Sequence, residues 1–274
     1  MLPLVISGTH FGRVWMVRIL LLVFLAIIFL VSGKKGREGR TALFLMLIIV
    51  LLVSMTESAY GHPADKGDFS LREINDWFHL LGAEAWGGGL LALSILVLPR
   101  IIKPEDALKS DIRPPLIAGI ARRFSVMAGW GVAVMAVTAA INYLTYIGGA
   151  RALLGTPYGL TVAAKVILFL VLLPLAAFNR YVNVPALEQW AGFPAHKPGI
   201  AGRAARRLYL PFVQGRPGHQ MAILFKRLVR AEMFLIMALL FCAAILSHEA
   251  PASHYMHMKQ TGHDASRSLG AMPG

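Results

Sequence analysis

Six apolar runs, each roughly twenty residues long, divide this chain into alternating membrane-length and polar stretches, and that alternation limits the fold more than any motif. A helix rises about 1.5 Å per residue, so about 20 apolar residues cross a bilayer core. The runs fall at about 14–32, 41–59, 75–98, 117–147, 159–178 and 228–247. They predict an all-α polytopic membrane protein, a bundle of six transmembrane helices. The fourth run is long enough to tilt or to begin as an interfacial turn. Pro157 suits the first turn of the fifth, and Pro174 predicts a kink inside it. Composition agrees, since 57% of the 274 residues are hydrophobic and 15% are charged.

The net charge of +13 does not point to nucleic acid, because the basic residues cluster in particular loops between the runs. GKKGREGR (33–40) is strongly basic. Residues 99–123 carry Arg100, Lys103, Lys109, Arg113, Arg122 and Arg123, and residues 179–230 carry nine further Lys and Arg residues. The alternate loops are poor in them. Residues 60–74 hold Lys66 and Arg72 against Asp65, Asp68 and Glu73, and residues 148–158 hold only Arg151. Positive loops stay in the cytoplasm, so both termini are expected on the outer side of a bacterial inner membrane. Three divisions follow: two N-terminal spans (1–60), a four-helix membrane domain (61–251) with a basic cytoplasmic loop (179–227), and a His/Met-rich outer tail (252–274). Residues 196–227 fit either an inner-leaflet surface segment or a solvated connector. Within the second span, 41–53 followed by SMTESAYGHP is similar to a signal-peptide core. Cleavage at its small residues would expose His62 as a mature N-terminus, although the span before it argues against a simple signal peptide.

Sorting histidines by side places His10, His62, His248, His254, His257 and His263 outside, His79 about one turn into the third span from the outer face, and His196 and His219 inside. The tail adds Met256 and Met258 within HYMHM (254–258). Imidazole binds several transition metals and thioether sulfur favours Cu(I), so a mixed set without a thiol pair fits copper. Cys242 is the single cysteine, which excludes an intrachain disulfide and a CxxC site. Candidate metal ligands are therefore His62, His79, His248, His254, Met256, His257 and Met258.

Polar residues inside spans are costly and are functional candidates by default. In HLLGAEAWGGGLLAL (79–93), His79 and Trp86 are seven apart and share a helix face, whereas Glu84 lies on another with Gly87 and Gly88. Thr138, Asn142 and Tyr146 form a stripe of period four, as do Thr161 and Lys165. Trp86, Glu84, Asn142, Tyr146 and Lys165 are expected to line a transport cavity that opens outward. The competing reading makes Glu84 and Lys165 a structural ion pair and His79 a satisfied core residue. Asn179, Arg180, Arg230 and Glu232 are expected to be topology anchors and helix-end contacts. No phosphate-binding loop, phosphorylated-Asp ATPase motif or HExxH is present, and no catalytic residue is assigned.

The stretch HLLGAEAWGGGLLAL resembles the H-x6-W-x-G-G-L signature of the CopD copper-resistance family. RRFSVMAGWGV (122–132), TPYGLTVAAKVIL (156–168), FNR (178–180) and RAEMFLIMALLFCAAILSHEAP (230–251) follow in that family's order. The resemblance spans about 75–251. It implies an inner-membrane protein tied to copper handling, surrounded by the lipid bilayer and with a periplasmic CopC-like copper carrier as partner, and it leaves the direction of transport open; the gathering of ligands on the outer side adds the expectation of copper import or relay from the periplasm. A homo-oligomer is compatible with it. Glu84 is not part of the family pattern. A second likeness, through the same signature and LVLPR (96–100), is to the HemJ-type membrane protoporphyrinogen oxidases. It implies haem b, with His79 and Lys165 in that family's histidine and lysine roles. A third reading is a non-transporting membrane partner of a periplasmic copper carrier.

Overall fold

A computed structural model describes residues 8–34, 39–59, 69–102, 113–146, 150–194, 199–209, 211 and 215–246. The described residues contain helices and no strand. In order these are α1 (His10–Lys34), α2 (Arg40–Ser58), α3 (Leu71–Leu91), a π-helical segment (Ala92–Val97), α4 (Leu98–Ile101), α5 (Arg113–Tyr146), α6 (Ala150–Gly155), α7 (Pro157–Phe178), a second π-helical segment (Asn179–Asn183), α8 (Val184–Trp190), α9 (Ile200–Tyr209) and α10 (Gly218–Leu246). Six of the helical stretches are long and apolar enough to cross a membrane, at His10–Ser32, Arg40–Ser58, Leu71–Ile101, Arg113–Thr145, Pro157–Trp190 and Gly218–Leu246. Their surfaces carry exposed Phe24, Phe44, Trp130, Leu144, Phe234 and Phe241, while Glu73, Thr138, Asn179, Asn183 and Glu232 are buried. Apolar side chains outside and polar ones inside suit a bilayer, where only the interior supplies hydrogen-bond partners.

The chain divides into two compact units. The first comprises Met1–Ala83 and Val134–Asn142, and the second Glu84–Ala133 and Tyr143–Gly274. In the first unit α1 packs on α2. Arg18, flanked by apolar residues in α1, donates from Nε to Thr56 Oγ1 at 2.9 Å and pairs through Nη2 with Glu57 at 2.9 Å. Ser58 Oγ donates to the Glu73 carbonyl at 2.8 Å, and Trp77 Nε1 donates to the Leu51 carbonyl at 3.2 Å, which ties α2 to α3. The start of α3 is a variant of the capping box in which the carboxylate reaches one residue further back. Ser70 Oγ accepts from Glu73 N at 3.2 Å, and the buried Glu73 carboxylate reaches back to accept from Phe69 N at 2.5 Å.

In the second unit α10 packs along α7 and touches both π-helical segments and α8. Thr156 caps α7, its Oγ1 accepting from Gly159 N at 3.0 Å, with Pro157 following where a missing N–H costs nothing. Pro174 lies inside α7. Two spans outrun their expected ends. The third continues through the first π segment to Ile101, and the fifth through the second π segment to Trp190 instead of ending at FNR. Each π segment is followed within two residues by a proline, Pro99 or Pro185. A proline ring clashes with the carbonyl four residues back, and a π turn widens the helix where that carbonyl lies. Pro185 therefore leaves the Tyr181 carbonyl without its usual donor, and Arg206 Nε of α9 supplies one at 3.3 Å. Lys226 Nζ similarly serves the Ile102 carbonyl at the end of α4, at 3.0 Å.

The GGG run in α3 is a contact surface with one open position. A Cβ on Gly87 would stand 3.1 Å from Ile236 Cγ2, and one on Gly89 would stand 2.6 Å from the Phe124 ring and 2.9 Å from Met127 Cε. A Cβ on Gly88 would meet nothing within 4 Å. Gly89→Ala should lower stability by about 1–3 kcal/mol through overpacking. Gly88→Ala should raise it by about 0.5–1 kcal/mol through helix propensity. Unfolding the detergent-solubilised variants in SDS measures both, and equal effects would contradict the assigned packing.

Candidate functional site

Two polar clusters are built inside the spans, one in each unit. The first joins α3 to α5. Asn75 and His79 are four apart on α3, and Thr138 and Asn142 are four apart on α5, so each pair occupies one helix face. His79 Nδ1 lies 2.9 Å from Thr138 Oγ1. Asn75 Nδ2 donates to Asn142 Oδ1 at 2.7 Å and to the Thr138 carbonyl at 3.3 Å. The pairing 75 with 142 and 79 with 138 is the register of antiparallel neighbours.

This geometry selects a histidine tautomer. Thr138 has one hydroxyl hydrogen, and the Val134 carbonyl, four residues back on the same helix, takes it at 2.8 Å. Thr138 Oγ1 then accepts from His79 Nδ1–H, and Nε2 carries the lone pair of the neutral ring. A metal-binding imidazole is oriented in the same way, by a second group that holds its other nitrogen.

The second cluster lies in the second unit and was expected only as helix-end contacts. Glu232 is near the middle of α10 and is 2% exposed. Asn179 Nδ2 donates to Glu232 Oε1 at 2.5 Å, and Asn183 Nδ2 donates to Asn179 Oδ1 at 2.6 Å. Asn179 and Asn183 are buried in the second π segment, and Asn183 Oδ1 has no hydrogen-bond partner among the described residues. Beside them Arg180 reaches the Ser125 carbonyl of α5 across Gly129, where a Cβ would stand 2.6 Å from the guanidinium. Glu188 of α8 pairs with Arg122 at 3.4 Å. The expected roles for Asn179, Arg180 and Glu232 thus understate a buried network. The sequence signal for it was two asparagines at i and i+4 in an apolar span, with a lone glutamate in another.

The remaining expected residues are distributed as follows. Asn142 joins His79 in the first cluster. Trp86 belongs to the second unit, is 1% exposed and meets Phe169 edge-on, with ring centroids 6.1 Å apart. Glu84 is on an exposed face of α3, and Lys165 is half-buried on α7, where Thr161 donates to the Pro157 carbonyl at 3.1 Å. Tyr146 ends α5, and its side chain lies outside the described residues, as do His62, His248, His254, Met256, His257 and Met258. Among the described residues, no group of three His, Cys, Asp or Glu side chains is arranged to hold a metal ion. Asn75, Arg18 and Asn183 were not singled out in advance.

Two family models match the chain. Residues 118–246 match that described as "Copper resistance protein D", and residues 1–70 match "Copper resistance protein D-like, N-terminal domain". The chain belongs to the copper resistance protein D family. Thr138, Asn142, Asn179, Asn183 and Glu232 lie within the first match, and His79 lies between the two. The chain is 26% identical to "Copper resistance protein D" of Pseudomonas syringae pv. tomato over 208 residues, which are 75% of this chain and 63% of that protein. It is 26% identical to "Copper transport protein CutJ" of Bacillus subtilis (strain 168) over 169 residues, 61% of this chain and 30% of that protein. It is 25% identical to "Inner membrane protein YebZ" of Escherichia coli (strain K12) over 181 residues, 66% of this chain and 58% of that protein. The chain thus spans less than two thirds of the length of each of these relatives. No solved structure matches it.

Thr138→Val should cost about 1–2 kcal/mol, since it leaves His79 Nδ1 without its partner inside a span, and Thr138→Ser should restore most of it. SDS unfolding of both variants tests this. Equal stabilities of the valine and serine variants would contradict the His79–Thr138 bond.

Proposed function

We propose that this protein is a copper permease or membrane copper relay of the bacterial inner membrane that takes copper from the periplasmic side. The observation that carries the reading is His79, an intramembrane imidazole whose Nδ1 lies 2.9 Å from Thr138 Oγ1, a placement that suits a lone pair on Nε2. Neutral imidazole is a ligand for copper, and a fixed ring lowers the entropy lost on binding. The family supports copper as cargo, and the printed names of two relatives concern copper resistance and copper transport, not catalysis. The positive loops support an orientation with both termini in the periplasm and His79 near the outer face.

In this reading His254, Met256, His257 and Met258 capture copper, with His62 as a further outer ligand. His248 hands it to His79 at the membrane surface. Copper then moves inward past the polar side chains of the spans. Asn75 has a positioning role, since it holds Asn142 beside the histidine rung. A CopC-like carrier is the natural donor to the tail, because a free copper ion would otherwise have to be captured from dilute solution.

Copper uptake into proteoliposomes tests the proposal. His79→Ala should reduce uptake about 100-fold, the upper range for loss of a well-positioned metal-site group. Deleting residues 252–274 should raise the copper concentration needed for half-maximal uptake and leave the maximal rate largely intact. Unchanged uptake by His79→Ala would remove the central ligand from the account.

A further inference from the structure

The second cluster has a feature that packing alone does not require. Asn183 is fully buried, yet its Oδ1 has no hydrogen-bond partner among the described residues, while its own Nδ2 is committed to Asn179. An orphaned acceptor in a span is expensive, and in a native structure it marks a place where a donor arrives. It ends a directed chain. Glu232 Oε1 accepts from Asn179 Nδ2, and Asn179 Oδ1 accepts from Asn183 Nδ2. This direction suits an ionised Glu232, which can only accept.

We propose that Glu232, Asn179 and Asn183 form a proton-binding site whose proton is the coupling ion for the copper movement proposed above. The coupling clause rests on that reading; the proton site does not. When Glu232 takes a proton, one O–H bond forms and the carboxylate charge disappears. The new O–H donates to Asn179 Oδ1, which requires Asn179 to turn over and present Nδ2 to Asn183. Asn183 turns in response and presents Oδ1 to Asn179 and Nδ2 to the position its oxygen had faced. The far end of the chain thus changes from acceptor to donor with the charge state of Glu232. A hydronium ion or a protonated group gives its proton to a Glu232 carboxylate oxygen and is left as water or as the neutral group. Release to water reverses both turns, and no oxidant or other co-reactant takes part.

The charged surroundings leave this carboxyl to titrate on its own. The elements packed against α10 are α7, both π segments and α8. Arg180 of the second π segment is directed to the Ser125 carbonyl, and Glu188 of α8 pairs with Arg122. Tyr181 stands beside Arg180, whose guanidinium carbon is 5.8 Å from the ring. Lys165 and Tyr158 lie about four turns or more along α7 from Asn179. The first π segment has no ionisable side chain. On α10 itself Lys226 donates to the Ile102 carbonyl, and Arg227 and Arg230 are exposed. His219 is near the start of α10 and Cys242 near its end. Among the described residues no Lys or Arg forms an ion pair with Glu232, whose hydrogen-bond partner is Asn179.

Infrared difference spectroscopy of the full-length protein in liposomes, stepped through pH, tests the site directly. The wild type should show the carbonyl band of a protonated carboxylic acid that is lost in alkaline buffer. Glu232→Gln, which keeps the shape and the acceptor for Asn179, should lack that band. Asn179→Leu should keep it and shift it to higher wavenumber, because the acid loses its hydrogen-bonding partner. Identical spectra for wild type and Glu232→Gln at every pH would overturn the proposal. Copper uptake in the same liposomes tests the coupling. The wild type should speed up with an imposed pH gradient, and Glu232→Gln should not. A gradient response retained in Glu232→Gln would overturn the coupling role. If the wild type moves no copper under any gradient, the copper reading fails, while the infrared comparison still decides whether Glu232 binds a proton.

Discussion

A hydrogen-bonding group inside a bilayer has no water to turn to, and the described structure is organised around that cost. Backbone groups meet it by forming helices. Side chains meet it only where two helices bring complementary groups together. Among the described residues the first unit does this with Arg18 on Thr56 and Glu57, Ser58 and Trp77 on carbonyls of the facing helix, Asn75 on Asn142, and His79 on Thr138. The second has Asn183, Asn179 and Glu232 in series, with Arg180 on Ser125 alongside. Because lipid offers no competing partner, these pairings also set register. The bonds from Asn75 and His79 to α5 admit only one alignment of the two helices on each other.

Irregular backbone serves the same end. The two π segments end two residues before Pro99 and Pro185, where a regular helix would force each ring against a carbonyl. The second segment also carries Asn179 and Asn183. The proline, the wide turn and the polar side chains therefore belong to one local solution, and Arg206 completes it by serving the Tyr181 carbonyl. Small residues act alongside. Gly87 and Gly89 admit Ile236 and Phe124, and Gly129 makes room for the Arg180 guanidinium.

Much of this was legible in the residues. The six spans follow from hydropathy, which reports a bulk property of each segment. The polar stripe at Thr138 and Asn142 follows from helical periodicity, whereas the exposed position of Glu84 was not expected. What could not be read was pairing between distant helices. Nothing in the local sequence of Asn75 says that it faces Asn142, and Glu232 beside Arg230 reads as a helix-end charge until its partner 53 residues earlier in the chain is known. The continuation of the fifth span past FNR was missed because Asn179 and Arg180 read as polar residues that close a span, and Pro185 just beyond them would normally keep a helix from continuing. The π turn removes the clash on which that rule depends.

The central claim is that this bundle handles copper, with His79 as an intramembrane ligand. The most direct measurement is the metal content of the protein purified in mild detergent from copper-supplemented cells, reading copper and iron together. The account predicts copper stoichiometric with the chain and little iron. Stoichiometric iron without copper would contradict it, and would make His79 a haem ligand in a protein that resembles the HemJ-type oxidases instead.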